Sequence, residues 1–258
     1  MYAAVAGTLF APASLVIPMA GPIIGGFASW VAGVALVAVI SQRERAKIIR
    51  QFRARVSSEL VERLTGDPDA LSVRGAEREI TVLFGDLAGF TTLSEQLGGP
   101  QVVSTLNRYM GALTRGLTAR RAYVNKFLGD GLLAFWSAFG AEPDQCSLAI
   151  ESAGVCQQEV AQLGESPEFR ERPRIRLRLG IATGRAVVGD CGAPPDLNDY
   201  TAIGDVVNLA SRLESANKQF GTSVLIDGRT ASAAGGSAKG SLLRPGRVVV
   251  GGQRGPVE

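Results

Sequence analysis

Histidine is missing altogether from the 258 residues, and that one absence removes a large part of enzyme chemistry. Ser-His-Asp and Cys-His triads, HExxH zinc sites and any imidazole acid or base are excluded. Cysteine is scarce: Cys146, Cys156 and Cys191 are odd in number and form no CxxC pair, so neither a disulfide framework nor a structural zinc site is predicted, and a reducing compartment fits. Net charge is also small, +3 from 27 basic and 24 acidic residues, which argues against a nucleic-acid polymer as partner. What remains for chemistry is carboxylates, Lys, Arg, hydroxyls, or a metal held by oxygen. With 46% hydrophobic residues the chain can bury a core, and its length fits one catalytic-size domain plus an accessory segment.

Charge is absent in a second, local sense, because residues 1–42 contain no Asp, Glu, Lys or Arg. The run Ile23 to Ile40, at about 1.5 Å per residue, reaches roughly 27 Å, close to the hydrocarbon thickness of a bilayer. It predicts a membrane helix, paired in a hairpin with the apolar stretch 2–19 across the turn Ala20-Gly21-Pro22. Arg43, Arg45, Lys47, Arg50, Arg53 and Arg55 follow at once, so the positive-inside rule assigns the rest of the chain to the cytoplasmic side of the cell inner membrane. Ile48, Ile49, Phe52, Val56, Leu60 and Leu64 recur at helical steps, predicting an amphipathic connector helix that Thr65-Gly66-Asp67-Pro68 ends. Three segments result: membrane helices over 1–42, a basic connector and linker over 43–76, and a catalytic-size domain over 77–258.

In that last segment Glu79 to Phe84 reads as a strand, followed by a loop at Gly85-Asp86 and a helix with Thr91, Thr92 and Ser94 near its start. Pro100 to Arg120 is helical. Tyr123 to Phe127 and Leu132 to Trp136 form a hairpin across Gly129-Asp130-Gly131. Glu142 to Leu163 is a further helix. Arg174 to Ala182 alternates apolar residues with Arg174, Arg176 and Arg178, a strand with one basic face; a turn at Thr183-Gly184-Arg185 and a second strand, Ala186 to Val188, follow. Tyr200 to Ile203 is a short strand, and Asp205 is the expected N-cap of a helix reaching Gln219. The order predicts an α+β domain, a mainly antiparallel sheet with helices on one face.

Three features could carry chemistry. Asp86 precedes a glycine turn and helix start where free amides from Leu87, Ala88, Gly89, Phe90 and Thr91 would receive a polyphosphate, although an Asp there also serves as a plain helix cap. Asp130 lies in a Gly-Asp-Gly turn, which needs no function to explain it. If the hairpin lies beside the first strand, however, two carboxylates about 4 Å apart would repel by roughly 4 kcal/mol, a cost that a divalent ion held by oxygen relieves. On the third feature, GDVVNLASRLESANK, Asn208, Arg212 and Ser215 share one helix face while Val206, Ala210 and Leu213 form another suited to the core. An Arg beside a phosphate site would offset the charge of a phosphoryl-transfer transition state.

The blocks FGDLAGFTTLSE, NKFLGDGLLAFW and DYTAIGDVVNLASRLE, in this order, resemble the three signature blocks of the class III nucleotidyl cyclases, and the basic helix resembles the connector of bacterial membrane receptors of that type. The resemblance implies a ferredoxin-like cyclase domain, in which Asp86 and Asp130, with a main-chain carbonyl near Leu87, hold two Mg²⁺ or Mn²⁺ ions. It implies further that Lys126 and Thr201 read the base, that Asn208 positions the nucleotide and that Arg212 stabilises the α-phosphate. The implied unit is a homodimer whose two sites each take the aspartates from one chain and the Lys, Thr, Asn and Arg from the other. Adenine offers an acceptor at N1 and a donor at N6, which suit the Lys ammonium and Thr hydroxyl, so the expected activity is conversion of ATP to cyclic AMP. The alternatives are a guanylyl cyclase and a silent nucleotide-binding or dimerisation module. One departure stands out: the family's phosphate-contacting lysines near the C-terminus are replaced by Gly251 and Gln253.

Overall fold

The computed structural model describes residues 26–27, 29–37, 40, 75–193 and 197–235. The chain divides into two units, Met1–Ser58 and Glu59–Glu258. Within the first, residues 29–37 are helical, and Phe27, Trp30, Val34, Leu36 and Val37 are exposed. No helix among the described residues is long and apolar enough to cross a membrane. Most of the hairpin expected over 1–42, the whole connector and the stretch containing Gly251 and Gln253 lie outside the described residues.

The second unit begins with β1 (Ala76–Ala88), α1 (Phe90–Gln96) and α2 (Gly99–Thr118), then the hairpin of β2 (Tyr123–Leu128) and β3 (Gly131–Trp136). After α3 (Gln145–Glu165) come β4 (Arg176–Ala193), β5 (Leu197–Ile203), α4 (Asp205–Phe220), β6 (Val224–Ile226) and α5 (Gly228–Ala234). The strands are ordered β2-β3-β1-β4-β5, all antiparallel, while β6 pairs with β4 in parallel. Alternation along β1, β3 and β4 sends Leu83, Leu87, Ala134, Trp136, Leu177, Leu179 and Ile181 to one face, where Tyr109, Leu113 and Leu117 of α2 and Ala149, Ala153 and Cys156 of α3 close the core. Burial there pushes the Cys156 thiol up to about 12, so it behaves as a small hydrophobe.

The structure changes four local expectations. Asp86 is not in a loop: it is paired on both sides, opposite Gly131 of β3 and Arg178 of β4, and pairing with β4 carries β1 four residues past the expected end at Phe84, to Ala88. The turn at Thr183-Gly184-Arg185 does not form, because these residues pair in unbroken register with Thr81, Ile80 and Glu79. Gly204, not Asp205, is the N-cap of α4, and Asp205 stands in the first turn, where its charge suits the helix dipole. Helices also cover more than the one face predicted: α4 lies against the side opposite α2 and α3.

The glycines of β4 explain that last point. A methyl group on Gly180 would lie 2.1 Å from the Ala210 carbonyl oxygen and 2.2 Å from the Glu214 nitrogen, so the α4 backbone rests on bare strand; at Gly184 the contact is Val206, at 3.2 Å. Buried Asn217 fixes the seat by donating to the Leu179 carbonyl at 2.9 Å. Because backbone atoms cannot rotate aside, Gly180→Ala is expected to cost about 1–3 kcal/mol and to lift α4 from the sheet. Urea denaturation of the variant checks this; an unchanged midpoint would refute the close seat.

Candidate active site

The hairpin does lie beside the first strand. Gly129, at φ 69°, turns the chain, Gly131 stands opposite Asp86, and the Asp130 carbonyl accepts from the Leu87 N–H at 3.2 Å. The backbones of Asp86 and Asp130 are therefore neighbours at the end where β1 pairs with β3. Among the described residues no three acidic or thiol side chains gather into a metal-binding group. Two carboxylates without nitrogen or sulfur suit a hard ion such as Mg²⁺ or Mn²⁺, with remaining ligands from carbonyls, water or a nucleotide's phosphates.

Two residues of this region were not singled out for a role. Arg178, directly across the ladder from Asp86, pairs with its carboxylate, and its Nε lies 3.1 Å from Glu214 Oε1 on α4. The guanidinium thus stands between two acids and supplies positive charge beside Asp86. Burial pushes the Glu214 carboxyl up from the ordinary glutamate range, the negative charge of Asp86 adds to the rise, and Arg178 opposes it. The alternating arginines of β4 were visible in the sequence, but which of them meets Asp86 depends on register.

The proposed phosphate cradle is only partly free. Leu87 and Ala88 belong to β1, and the Leu87 amide is already committed to Asp130, which corrects its inclusion among free donors. Gly89, at φ 91°, opens the seven-residue helix α1 without a side-chain cap, so Asp86 is not serving as a helix cap. A methyl on Gly89 would meet the Arg174 carbonyl at 3.2 Å, which puts the turn leading to Phe90 and Thr91 beside the segment that carries exposed Arg174 and Arg176.

The expected base readers also come together, although β2 and β5 are at opposite ends of the strand order. Thr201 donates its hydroxyl to Asn125 Oδ1 at 2.9 Å, Asn125 Nδ2 donates to the Tyr200 carbonyl at 2.6 Å, and Lys126 pairs with Asp199. That ion pair is largely solvated and contributes little to stability.

On α4, Val206, Ala210 and Leu213 are buried, as their spacing predicted, while Asn208 is exposed and Arg212 half-buried on the other side. Arg212 has no ion-pair partner among the described residues. At about 100° per residue, Arg212 points roughly 200° away from Glu214, the residue that reaches toward Asp86 through Arg178. No contact among the described residues joins Asn208 or Arg212 to either aspartate of the same chain.

These features, an α+β domain with a mainly antiparallel sheet, two acids at the end of its central strands and a separate polar helix face, have clear relatives. The model of the adenylate and guanylate cyclase catalytic domain matches residues 73–250, and the chain belongs to that family. It is 38% identical over 151 residues to adenylate cyclase 1 of Rhizobium meliloti (strain 1021), covering 58% of this chain and 23% of the relative. It is 29% identical over 153 residues to an adenylate cyclase of Anabaena cylindrica, covering 58% of this chain and 29% of the relative. The chain therefore spans less than a third of the length of either. Among solved structures it is similar to the guanylyl cyclase Cya2, with TM-score 0.63 and 30% identity over 71% of this chain and 91% of that one. The adenylyl cyclase CyaB from P. aeruginosa also has TM-score 0.63, with 29% identity over 70% of this chain and 92% of that one.

Proposed function

We propose that the chain is an adenylate cyclase that converts ATP to 3′,5′-cyclic AMP and pyrophosphate at the two sites of a homodimer. The observation that carries this reading is the register of β1 with β3, which sets Asp130 beside Leu87 and Asp86 opposite Gly131. In it, Asp86 and Asp130, with a main-chain carbonyl at Leu87, hold two Mg²⁺ or Mn²⁺ ions. Such ions, when bound, supply Lewis acidity toward the ribose 3′-hydroxyl and the departing pyrophosphate. Asn208 orients the ribose, and Arg212 balances the charge that develops on the α-phosphate as the 3′-oxygen bonds to phosphorus and the pyrophosphate oxygen leaves. Lys126 donates to adenine N1 and Thr201 accepts from N6; guanine reverses both demands and would leave polar groups unpaired. The names of the Rhizobium, Anabaena and P. aeruginosa relatives support the adenine reading.

The same proposal anchors the N-terminal residues 1–42 in the cell inner membrane, with the cyclase domain cytoplasmic. Support comes from the helical stretch 29–37, whose apolar side chains face outward, and from the cluster of cations that begins at Arg43.

The full chain in detergent micelles, given ATP or GTP with Mn²⁺, is expected to yield cyclic AMP from ATP far faster than cyclic GMP from GTP, as read by product chromatography. Cyclic GMP as main product would overturn the base assignment, and no cyclic product from folded protein would overturn the activity.

A further inference from the structure

A bulge in β2 points to a residue that governs how the base is read. Val124 pairs with Ala134 and Lys126 with Leu133, so Asn125 is the extra residue of the bulge and has no ladder partner on β3. Its side chain reaches β5 instead, donating through Nδ2 to the Tyr200 carbonyl at 2.6 Å and accepting through Oδ1 from the Thr201 hydroxyl at 2.9 Å.

The chemistry of those two bonds fixes a direction. The Tyr200 carbonyl can only accept, so the amide must turn its NH₂ toward Tyr200 and its oxygen toward Thr201. The reversed amide would set two acceptor oxygens 2.6 Å apart. An amide oxygen cannot donate, so the single hydroxyl proton of Thr201 is committed to Asn125, and Thr201 has only lone pairs left to offer. A hydroxyl is ordinarily indifferent, able to accept from adenine N6 or to donate to guanine O6. This one is not.

We infer that Asn125 is a positioning residue for base selection: by taking the Thr201 proton it makes Thr201 an obligate acceptor and so favours adenine over guanine. The inference rests on Thr201 and Lys126 being the base contacts, and it assigns the selectivity of a promiscuous hydroxyl to a neighbour that touches no part of the nucleotide.

The test is equilibrium binding of 3′-deoxy-ATP and 3′-deoxy-GTP, which cannot cyclise, to the full chain with Mn²⁺. Wild type is expected to prefer the adenine analogue. Asn125→Ala should reduce that preference about tenfold, since the freed hydroxyl can then donate to O6. In a Thr201→Val background the Asn125→Ala change should leave the preference unaltered, because its route of action is gone. Equal wild-type affinity for both analogues would overturn the base assignment itself. A wild-type preference that Asn125→Ala leaves intact, or lowers equally with and without the Thr201 hydroxyl, would overturn only the role of Asn125.

Discussion

Asp86→Asn is expected to lower Mn²⁺-dependent turnover roughly a hundredfold or more and to weaken Mn²⁺ binding in parallel, since changes one shell further from a metal already cost tenfold to a hundredfold. Asn keeps the shape of the side chain, and the backbone of Asp86 remains held by Gly131 and Arg178 on either side, so the ladder stays in register. The charge is what disappears. Arg178 then has only Glu214 to pair with, a change that could also loosen α4 on the sheet. Asp130→Asn separates the two effects. It removes the other carboxylate without touching the Arg178 pair, and the same loss of turnover and of Mn²⁺ affinity is expected at an unaltered melting temperature. Activity and Mn²⁺ affinity near wild type in either variant would reject the paired-aspartate site.

Co-expression of Asp86→Ala chains with Arg212→Ala chains is expected to restore about one quarter of wild-type activity, although each variant alone is inert. With random pairing about half the dimers are mixed, and each mixed dimer holds one site with both changes and one with neither. The proposal draws its support from α4: Glu214 faces toward Asp86 through Arg178, and Arg212 is roughly 200° around the same helix, turned away from the Asp86 of its own chain. Its side chain is instead turned outward with Asn208, on the face opposite buried Val206, Ala210 and Leu213. A mixture that stays inert while mixed dimers are demonstrably present would mean that the site is built otherwise. Gly180→Ala offers an independent probe, because moving α4 would displace Arg212 and release Glu214 from Arg178 together.

Local signals were enough to read the hairpin of β2 and β3 from its glycine turn, the long helices α2 and α3, and the buried stripe of α4 from its apolar spacing, because each is set by residues a few positions apart. The missing histidine and the two aspartates beside glycines likewise narrowed the chemistry to oxygen-held metal. Glycine misled where one local signal had two causes. Gly184 sits in what looks like a turn, yet it is glycine because Val206 of α4 approaches the strand, and Gly85-Asp86 looks like a loop until pairing partners appear on both sides.

The sequence by itself determined most of the elements, the chemical types available to the site, and the helix face that carries Asn208 and Arg212. Only the tertiary structure decided that Arg178 rather than Arg174 or Arg176 stands across from Asp86, that Glu214 holds its other side, and that Asn125 meets Thr201. Those pairings join segments far apart along the chain, and a shift of register by one residue would turn every side chain of a strand to the opposite face without altering any local preference.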